Sequence, residues 1–381
     1  MPSKSGVLAV GNFDSNIGYA WRLMESLWCD LAKVMSERGH EMHVCFPSIS
    51  VVPACLIEHD YQAHTLDFTD KSLTGVLNQL KFLRQNSIKV VYFTDARTAA
   101  FRYALFRFAG VEKIIIHDHT PGVRTRPGRL KSWYKGLLNR LPLISCSACF
   151  AVSPYVADRL HTVNCVPKRK IHCVTNGIAV GTPPPERGEK DKLTVVTVGR
   201  ANYYKGIDFA IKVVEHLVKN LGVTNLNYVL FGDGPDLDEF KEFAETCGVT
   251  RHVTFAGAVS DVPERLVQCD IAFHPSRGEA MSLAILEYMR AGLPVVASDN
   301  PSVSSALAHN EYALLYREGE VTEAAEALKT LLESPETRLR LGSAARKKVE
   351  SQFSDESMSR RFVVAVEATV PLTQSAKTDF K

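Results

Sequence analysis

Residues 181–208 read GTPPPERGEKDKLTVVTVGRANYYKGID, a break followed by a restart. Pro183, Pro184 and Pro185 each lack a backbone N–H and fix φ, so the run suits neither a helix interior nor a central strand. Six of the next eight residues are charged, which bars the stretch from a core. Residues 182–191 therefore read as a linker between domains. Directly after it, 193–199 is an apolar run rich in β-branched residues, the mark of a buried strand. A polar loop and a helix through 207–220 follow, so a second βα domain starts where the first has ended.

The same alternation runs outward in both directions. Upstream, strands are expected at 5–11, 41–47 and 149–152, with helix–strand pairs over 70–95 and 98–119. A helix from Trp21 to Arg38 carries Leu23, Leu27, Leu31 and Val34 at helical spacing and stops at Gly39. Downstream, strands at 193–199, 226–235, 252–257, 270–275 and 294–299 alternate with helices, and the chain ends in helical segments. Strand and helix alternating in this way imply parallel sheets covered on both faces. The expected fold is α/β, with two Rossmann-like doubly wound domains over 1–181 and 192–354. Ligands in such folds bind beyond the carboxyl ends of the strands, so the expectation is a central cleft faced by both domains.

A chain of 381 residues has room for two sizeable cores. Its formal charge of +3 argues against wholesale binding of nucleic acid. The opening MPSKSGVLAVGNFDS has too short an apolar run for a signal peptide, and no run approaches the length of a membrane span. The expectation is a cytoplasmic protein, with any membrane contact peripheral at the inner face. Nine scattered cysteines read as free thiols. Cys146 and Cys149 form a C-x-x-C, but no second pair follows to complete four zinc ligands.

The loops after strands carry the chemistry. In TVGRANYYKGID (197–208), Arg200 and Lys205 lead into a helix N-terminus, whose free amides already favour an anion. Two cations there suit a group with more than one negative charge, such as a diphosphate; the plainer reading is a pair of solvated surface cations. In FGDGPD (231–236), Gly232 and Gly234 let a backbone approach a ligand closely. No G-x-G-x-x-G follows a strand, which disfavours a nicotinamide enzyme. In GEAMSLAILEYMRAGLPVVASD (278–299), Glu279 precedes a helix start where the amides of Met281, Ser282 and Leu283 are expected to be available. Glu287 lies eight residues on, about 80° round if both share one helix. Both could instead be ordinary helix carboxylates.

The stretches GRANYYKGID, VLFGDGP, VTFAG, IAFHPSRGEAMSLAILEYMRAGLPVVAS and NGI at 176–178 resemble the retaining GT-B glycosyltransferases of family 4. The resemblance covers nearly the whole chain and is strongest over 194–299. It implies a GT-B fold with a last helix, about 355–381, that crosses back to the first domain. It further implies that Glu279 contacts the hydroxyls of a donor sugar, that Glu287 binds the ribose of a nucleoside diphosphate, and that Arg200 and Lys205 hold the diphosphate. His117 and His119, in IIIHDHTPG, occupy the place where relatives set a histidine against the sugar; a following Thr favours His119, and a purely structural histidine is the alternative. Gly18 stands where relatives carry a Gly-Gly pair, and Ala280-Met281-Ser282 replaces their glycine-rich step. These departures bear on which sugar and acceptor are used.

The chemistry expected is metal-independent transfer of a hexose from a nucleotide-sugar donor to a glycan or lipid-linked acceptor. It needs no cofactor, because fixed cations neutralise the leaving group. No carboxylate nucleophile is evident for a double displacement, so front-face attack is expected. The rivals are a sugar-nucleotide 2-epimerase and a non-catalytic sugar-nucleotide binder. A basic, aromatic segment at 125–142 reads either as a membrane-contacting surface or as a solvated helix on its own sheet.

Overall fold

The computed structural model describes residues 5–16, 22–53, 56–57, 61–185, 188 and 190–371. They form two compact units. The first holds the chain up to Thr120, Arg124–Asn176, and the chain from Met358 onward; the second holds Pro121–Val123 and Gly177–Ser357.

The first unit runs β1 (Ser5–Val10), α1 (Arg22–Ser36), β2 (His40–Phe46), β3 (Gln62–Thr65), α2 (Leu73–Gln85), β4 (Ile88–Thr94), α3 (Arg102–Phe108), β5 (Lys113–Asp118), α4 (Arg129–Arg140), β6 (Ala148–Ala151), α5 (Pro154–Thr162) and β7 (Ile171–Cys173). All its strand pairs are parallel, in the order β3-β2-β1-β4-β5-β6-β7. The second unit runs β8 (Leu193–Val198), α6 (Ile207–Lys219), β9 (Leu226–Phe231), α7 (Leu237–Thr246), β10 (Val253–Phe255), α8 (Val262–Val267), β11 (Ile271–His274), α9 (Leu283–Arg290), β12 (Val295–Ser298), β13 (Ala313–Tyr316), α10 (Val321–Glu333) and α11 (Pro335–Gln352). Its sheet is also parallel, in the order β10-β9-β8-β11-β12-β13. Strand order reverses between β1 and β4 in one sheet and between β8 and β11 in the other. These are the switch points where doubly wound folds bind ligands.

The last helix, α12 (Asp355–Thr369), returns to the first unit. Its Phe362 is fully buried against Tyr92 and Phe150, and Met358 and Val366 join Leu27, Trp28 and Leu31 of α1 in one core over that sheet. Helix starts follow local chemistry. Ser153 caps α5 by accepting from Val156 N at 3.2 Å, with Pro154 at the first helical position.

The charged tract after the prolines has an anchor. Lys190 Nζ lies 2.8 Å from Asp270 Oδ1, and Asp270, 4% exposed, also accepts from Thr194 N at 2.8 Å. Earlier in the chain, Arg346 donates to Gly181 O at 2.8 Å. The residues from Gly177 onward are thereby fastened to the second unit.

Three strands go beyond the sequence expectation: β3, β7 and β13. Each is an edge strand of three or four residues, too short for a periodic signal, and β3 and β7 are only half-buried at best.

Candidate active site

In the second unit, the loops after β8 and β11 meet beside the switch point. Asn202 caps a single 3₁₀ turn, Tyr203–Lys205, by accepting from Lys205 N at 3.0 Å. Gly206 then turns the chain at φ +71°, where a Cβ would lie 2.1 Å from Pro275 O, so only glycine fits. These two features aim Lys205 at the loop after β11.

There Lys205 Nζ sits 2.6 Å from Glu279 Oε1, and His274 Nε2 lies 3.1 Å from the same oxygen. Glu279 is 7% exposed. Burial alone would push its carboxyl pKa up, but the Lys205 cation and His274 outweigh it and hold it at about 2. Oε2 of Glu279 makes no hydrogen bond among the described residues and is left as a free acceptor. The loop itself is pinned. Glu279 N reaches Ser302 Oγ at 3.4 Å, and Ser302 Oγ donates to Asn300 Oδ1 at 2.8 Å. Arg277 forms a two-pronged pair with Asp208 in the first turn of α6, at 2.9 and 2.7 Å, and also donates to Tyr203 O. Under the site, Tyr288 OH accepts from Val198 N at 2.5 Å, tying α9 to β8.

Ser282, not Glu279, is the N-cap of α9, accepting from Ile285 N at 3.5 Å. Glu279 therefore lies in the loop, and the 80° estimate, which assumes one helix for both carboxylates, does not apply. At the cap and the first helical position, the amides of Ser282 and Leu283 make no hydrogen bond among the described residues. Met281 and Ser282 are buried. Glu287, on α9, is 5% exposed. Arg200 is exposed, and its side chain has no partner among the described residues.

Gly232 and Gly234 are required by the protein's own backbone. A Cβ at Gly232 would meet Gly199 O at 1.9 Å, and one at Gly234 would meet Ala201 O at 2.3 Å. They are needed because the loop after β9 presses on the loop after β8, which fixes the backbone that carries Arg200.

In the first unit, His117 is fully buried, with Nδ1 2.5 Å from Tyr92 OH and its ring stacked on Phe362. Burial drives its pKa far below the ordinary value, so it is a neutral core histidine. His119 lies just past β5. Its N donates to Asp95 Oδ1 at 2.6 Å, and its Nε2 is buried with no partner among the described residues. Burial lowers its pKa to about 4, so it too is neutral near pH 7. Asp95 has φ +54°, an uncommon backbone for a residue with a side chain. Burial raises it to about 6. Asp118 pairs with buried Arg159 at 2.9 Å, and Arg159 also holds Thr120 O at 2.7 Å. Gly18 lies outside the described residues.

His274, the Arg277–Asp208 clamp and the Asp95–Asp118–Arg159 network are missing from the sequence expectation. His274 had one usable signal, a strand-end histidine five residues before Glu279. Among the described residues no cluster of three or more His, Cys, Asp or Glu is placed to hold a metal. The eight described cysteines are free, with Cys146 and Cys149 sulfurs 3.2 Å apart.

Two parallel doubly wound units with a returning last helix define a GT-B protein, and solved structures agree. A glycosyltransferase from Rickettsia africae ESF-5 superposes with TM-score 0.76 at 16% identity, covering 97% of this chain and 100% of its own. HepE from Anabaena, solved in complex with UDP and glucose, gives 0.73 at 16% identity, covering 96% and 100%. The sequence model for Glycosyltransferase Family 4 matches residues 24–181, and that for Glycosyl transferases group 1 matches 183–348. The chain belongs to the family 4 glycosyltransferases.

Among curated relatives, an uncharacterized glycosyltransferase of Haemophilus influenzae is 28% identical over 165 residues, 43% of this chain and 46% of the relative. A GDP-mannose-dependent alpha-(1-6)-phosphatidylinositol monomannoside mannosyltransferase of Mycobacterium tuberculosis is 24% identical over 302 residues, 74% of this chain and 76% of the relative. The match thus spans under half the length of the first of these relatives and about three quarters of the second.

Proposed function

We propose that the protein transfers a hexose, with retention and without a metal, from a nucleoside diphosphate sugar to a hydroxyl of a glycan or lipid-linked acceptor. The observation that carries this reading is the contact of half-buried Lys205 with buried Glu279 and His274, in which a carboxylate is kept ionised with one oxygen free among the described residues. Glu279 Oε2 accepts hydrogen bonds from sugar hydroxyls, and its partners prevent it from taking a proton itself. As the glycosidic bond breaks, negative charge grows on the departing diphosphate. Lys205, Arg200 and the amides of Ser282 and Leu283 answer that charge at fixed positions, with no reorganisation at the moment of reaction. Glu287 holds the ribose. On the acceptor side, His119 offers a neutral imidazole to the sugar. The departing phosphate takes the proton of the attacking hydroxyl on the same face of the ring, so no enzyme nucleophile is required.

A nucleotide-sugar donor is supported by the GDP-mannose dependence of the mycobacterial relative and by the UDP and glucose in the HepE complex. A lipid-linked acceptor would bring the protein to a membrane as a peripheral partner. Thermal-shift screening against UDP-, GDP- and ADP-sugars tests the reading, since a ligand bound only by the native state raises its melting temperature. One nucleotide series should stabilise the protein, and no shift with any of them would remove the donor assignment. Transfer should also survive EDTA. Complete loss restored by magnesium would show that the fixed cations are insufficient.

A further inference from the structure

Helix α4 is packed inside out. Its buried residues are Gly136 and Asn139. That side is held by polar contacts, Asn139 Nδ2 to Asn164 O at 2.9 Å and Lys135 Nζ to Val163 O at 2.9 Å. The apolar residues face outward: Leu130 is 86% exposed, Trp133 69%, Tyr134 52%, and Leu137 and Leu141 42% each. At 3.6 residues per turn these five fall within one arc of about 100°. A helix on the surface of a globular domain normally turns such a stripe inward. Helix α6 does so, burying Ile207, Ile211, Val214 and Leu217.

The stripe has a neighbour. Ala100 N donates to Ile144 O and Cys146 N to Thr98 O, both at 2.9 Å, so the start of α3 lies against the residues that follow α4. Phe101, Leu105 and Phe108, spaced four and three apart, expose 75%, 43% and 72%. Helices α3 and α4 lie in successive crossovers, β4 to β5 and β5 to β6, that step the same way across the sheet. Right-handed crossovers put both on one sheet face. Two adjoining apolar stripes on one face exceed the scattered exposure normal for a soluble surface.

The charge around them has one sign. No Asp or Glu occurs from His119 through Ala157, whereas Arg124, Arg126, Arg129, Lys131, Lys135 and Arg140 do. None of these six forms an ion pair among the described residues. On α4, Lys131 falls on one flank of the apolar arc, and Arg129 and Arg140 on the other.

We infer that this face of the first unit docks on an anionic lipid bilayer. Trp133, Tyr134 and the leucines enter the headgroup–acyl boundary, and the flanking cations meet lipid phosphates. A second copy of the chain is a poorer occupant, because a two-fold contact through α4 would set these cations against their own copies. Among the described residues no helix is long and apolar enough to cross a membrane, so this contact lies along the surface. The purpose of such a face rests on the lipid-linked reading of the acceptor. The binding can be measured without any sugar.

Co-sedimentation of the full chain with phosphatidylcholine vesicles, with and without phosphatidylglycerol, at low and high salt, tests it. The wild type should sediment only with the anionic vesicles and release at high salt. Each cation removed should weaken binding about fivefold, so Arg126→Ser, Arg129→Ser and Lys131→Ser together should cost about a hundredfold. Trp133→Ser with Leu137→Ser, both exposed and therefore harmless to folding, should also release the protein. Wild type that ignores anionic vesicles, or both variants binding like wild type, would overturn the proposal. So would light scattering that shows a dimer dissolved by the Trp133→Ser, Leu137→Ser variant.

Discussion

Each unit places a carboxylate just beyond a strand at its switch point, half-buried Asp95 in the first and buried Glu279 in the second, and their pKa values are shifted in opposite directions. Asp95 follows β4 and is pushed up to about 6, whereas Glu279 follows β11 and is held at about 2. Burial raises both. The difference is the nearest partner. Asp95 receives a backbone N–H from His119, and the neighbouring Arg159 guanidinium is committed to Asp118. Glu279 has an ammonium at 2.6 Å and an imidazole at 3.1 Å. At Asp95 the hydrogen bonds do not offset the desolvation, whereas at Glu279 the cation in contact does. The second unit therefore keeps a permanent anion, and the first keeps a carboxyl that changes its protonation near pH 6.

Removing Lys205 should erase that contrast with the largest effect. Lys205→Ala leaves Glu279 buried without its cation and should cost about 3 kcal/mol at pH 7, read from urea denaturation. Adding Glu279→Gln should recover much of it, because the unpaired charge is gone. A single variant as stable as wild type would mean that the pair contributes nothing to holding Glu279 ionised.

A smaller change, about 2 kcal/mol, is expected from Asp95→Asn at pH 8, and its sign is stabilising. The folded pKa of about 6 lies above the unfolded value, so native protein binds the extra proton between about pH 4 and 6. Stability should fall as pH rises through that window, and Asp95→Asn should remove the slope, since Asn tolerates the positive φ. Glu279 acts in the opposite sense. Its stabilisation is complete above about pH 4.5 and is lost as pH drops toward about 2. Asp95→Asn should therefore remove a falling slope of stability between about pH 4 and 6, and Glu279→Gln a rising slope between about pH 2 and 4.5. Slopes of the same sign in the two windows would contradict the assignment of opposite shifts. The smallest effect expected is on binding. Glu287→Ala should weaken a bare nucleoside diphosphate and its sugar conjugate equally, by about tenfold, as a ribose contact requires. Normal binding of the bare nucleotide would remove that role.

The alternation of strand and helix and the second start at Leu193 are legible in the sequence, and the return of the last helix is implied by the family resemblance. They are long-range patterns carried by many residues. What stays hidden depends on few residues or on tertiary context. Strands β3, β7 and β13 are too short to show a period. Glu279, Lys205 and Arg200 stand out because carboxylates and cations are conspicuous beside loops that precede helices. His274 is less conspicuous, since its one signal, a strand-end position five residues before Glu279, gains its meaning only when Glu279 folds back onto it. Asp95 is hidden for the same reason, because neither its left-handed backbone nor its burial can be read from FTDART. The glycines at 232 and 234 are easy to notice, but their close approach to Gly199 O and Ala201 O depends on tertiary packing that the sequence does not display.

The central claim is that Lys205 serves the departing diphosphate rather than merely the fold. Measuring kcat and donor Kd side by side for Lys205→Ala, on protein shown by circular dichroism to be folded, tests it directly. The account predicts a kcat lower by about a hundredfold with donor affinity much less changed, because charge on the leaving group is greatest in the transition state. An unchanged kcat, or a loss confined to donor affinity, would contradict it.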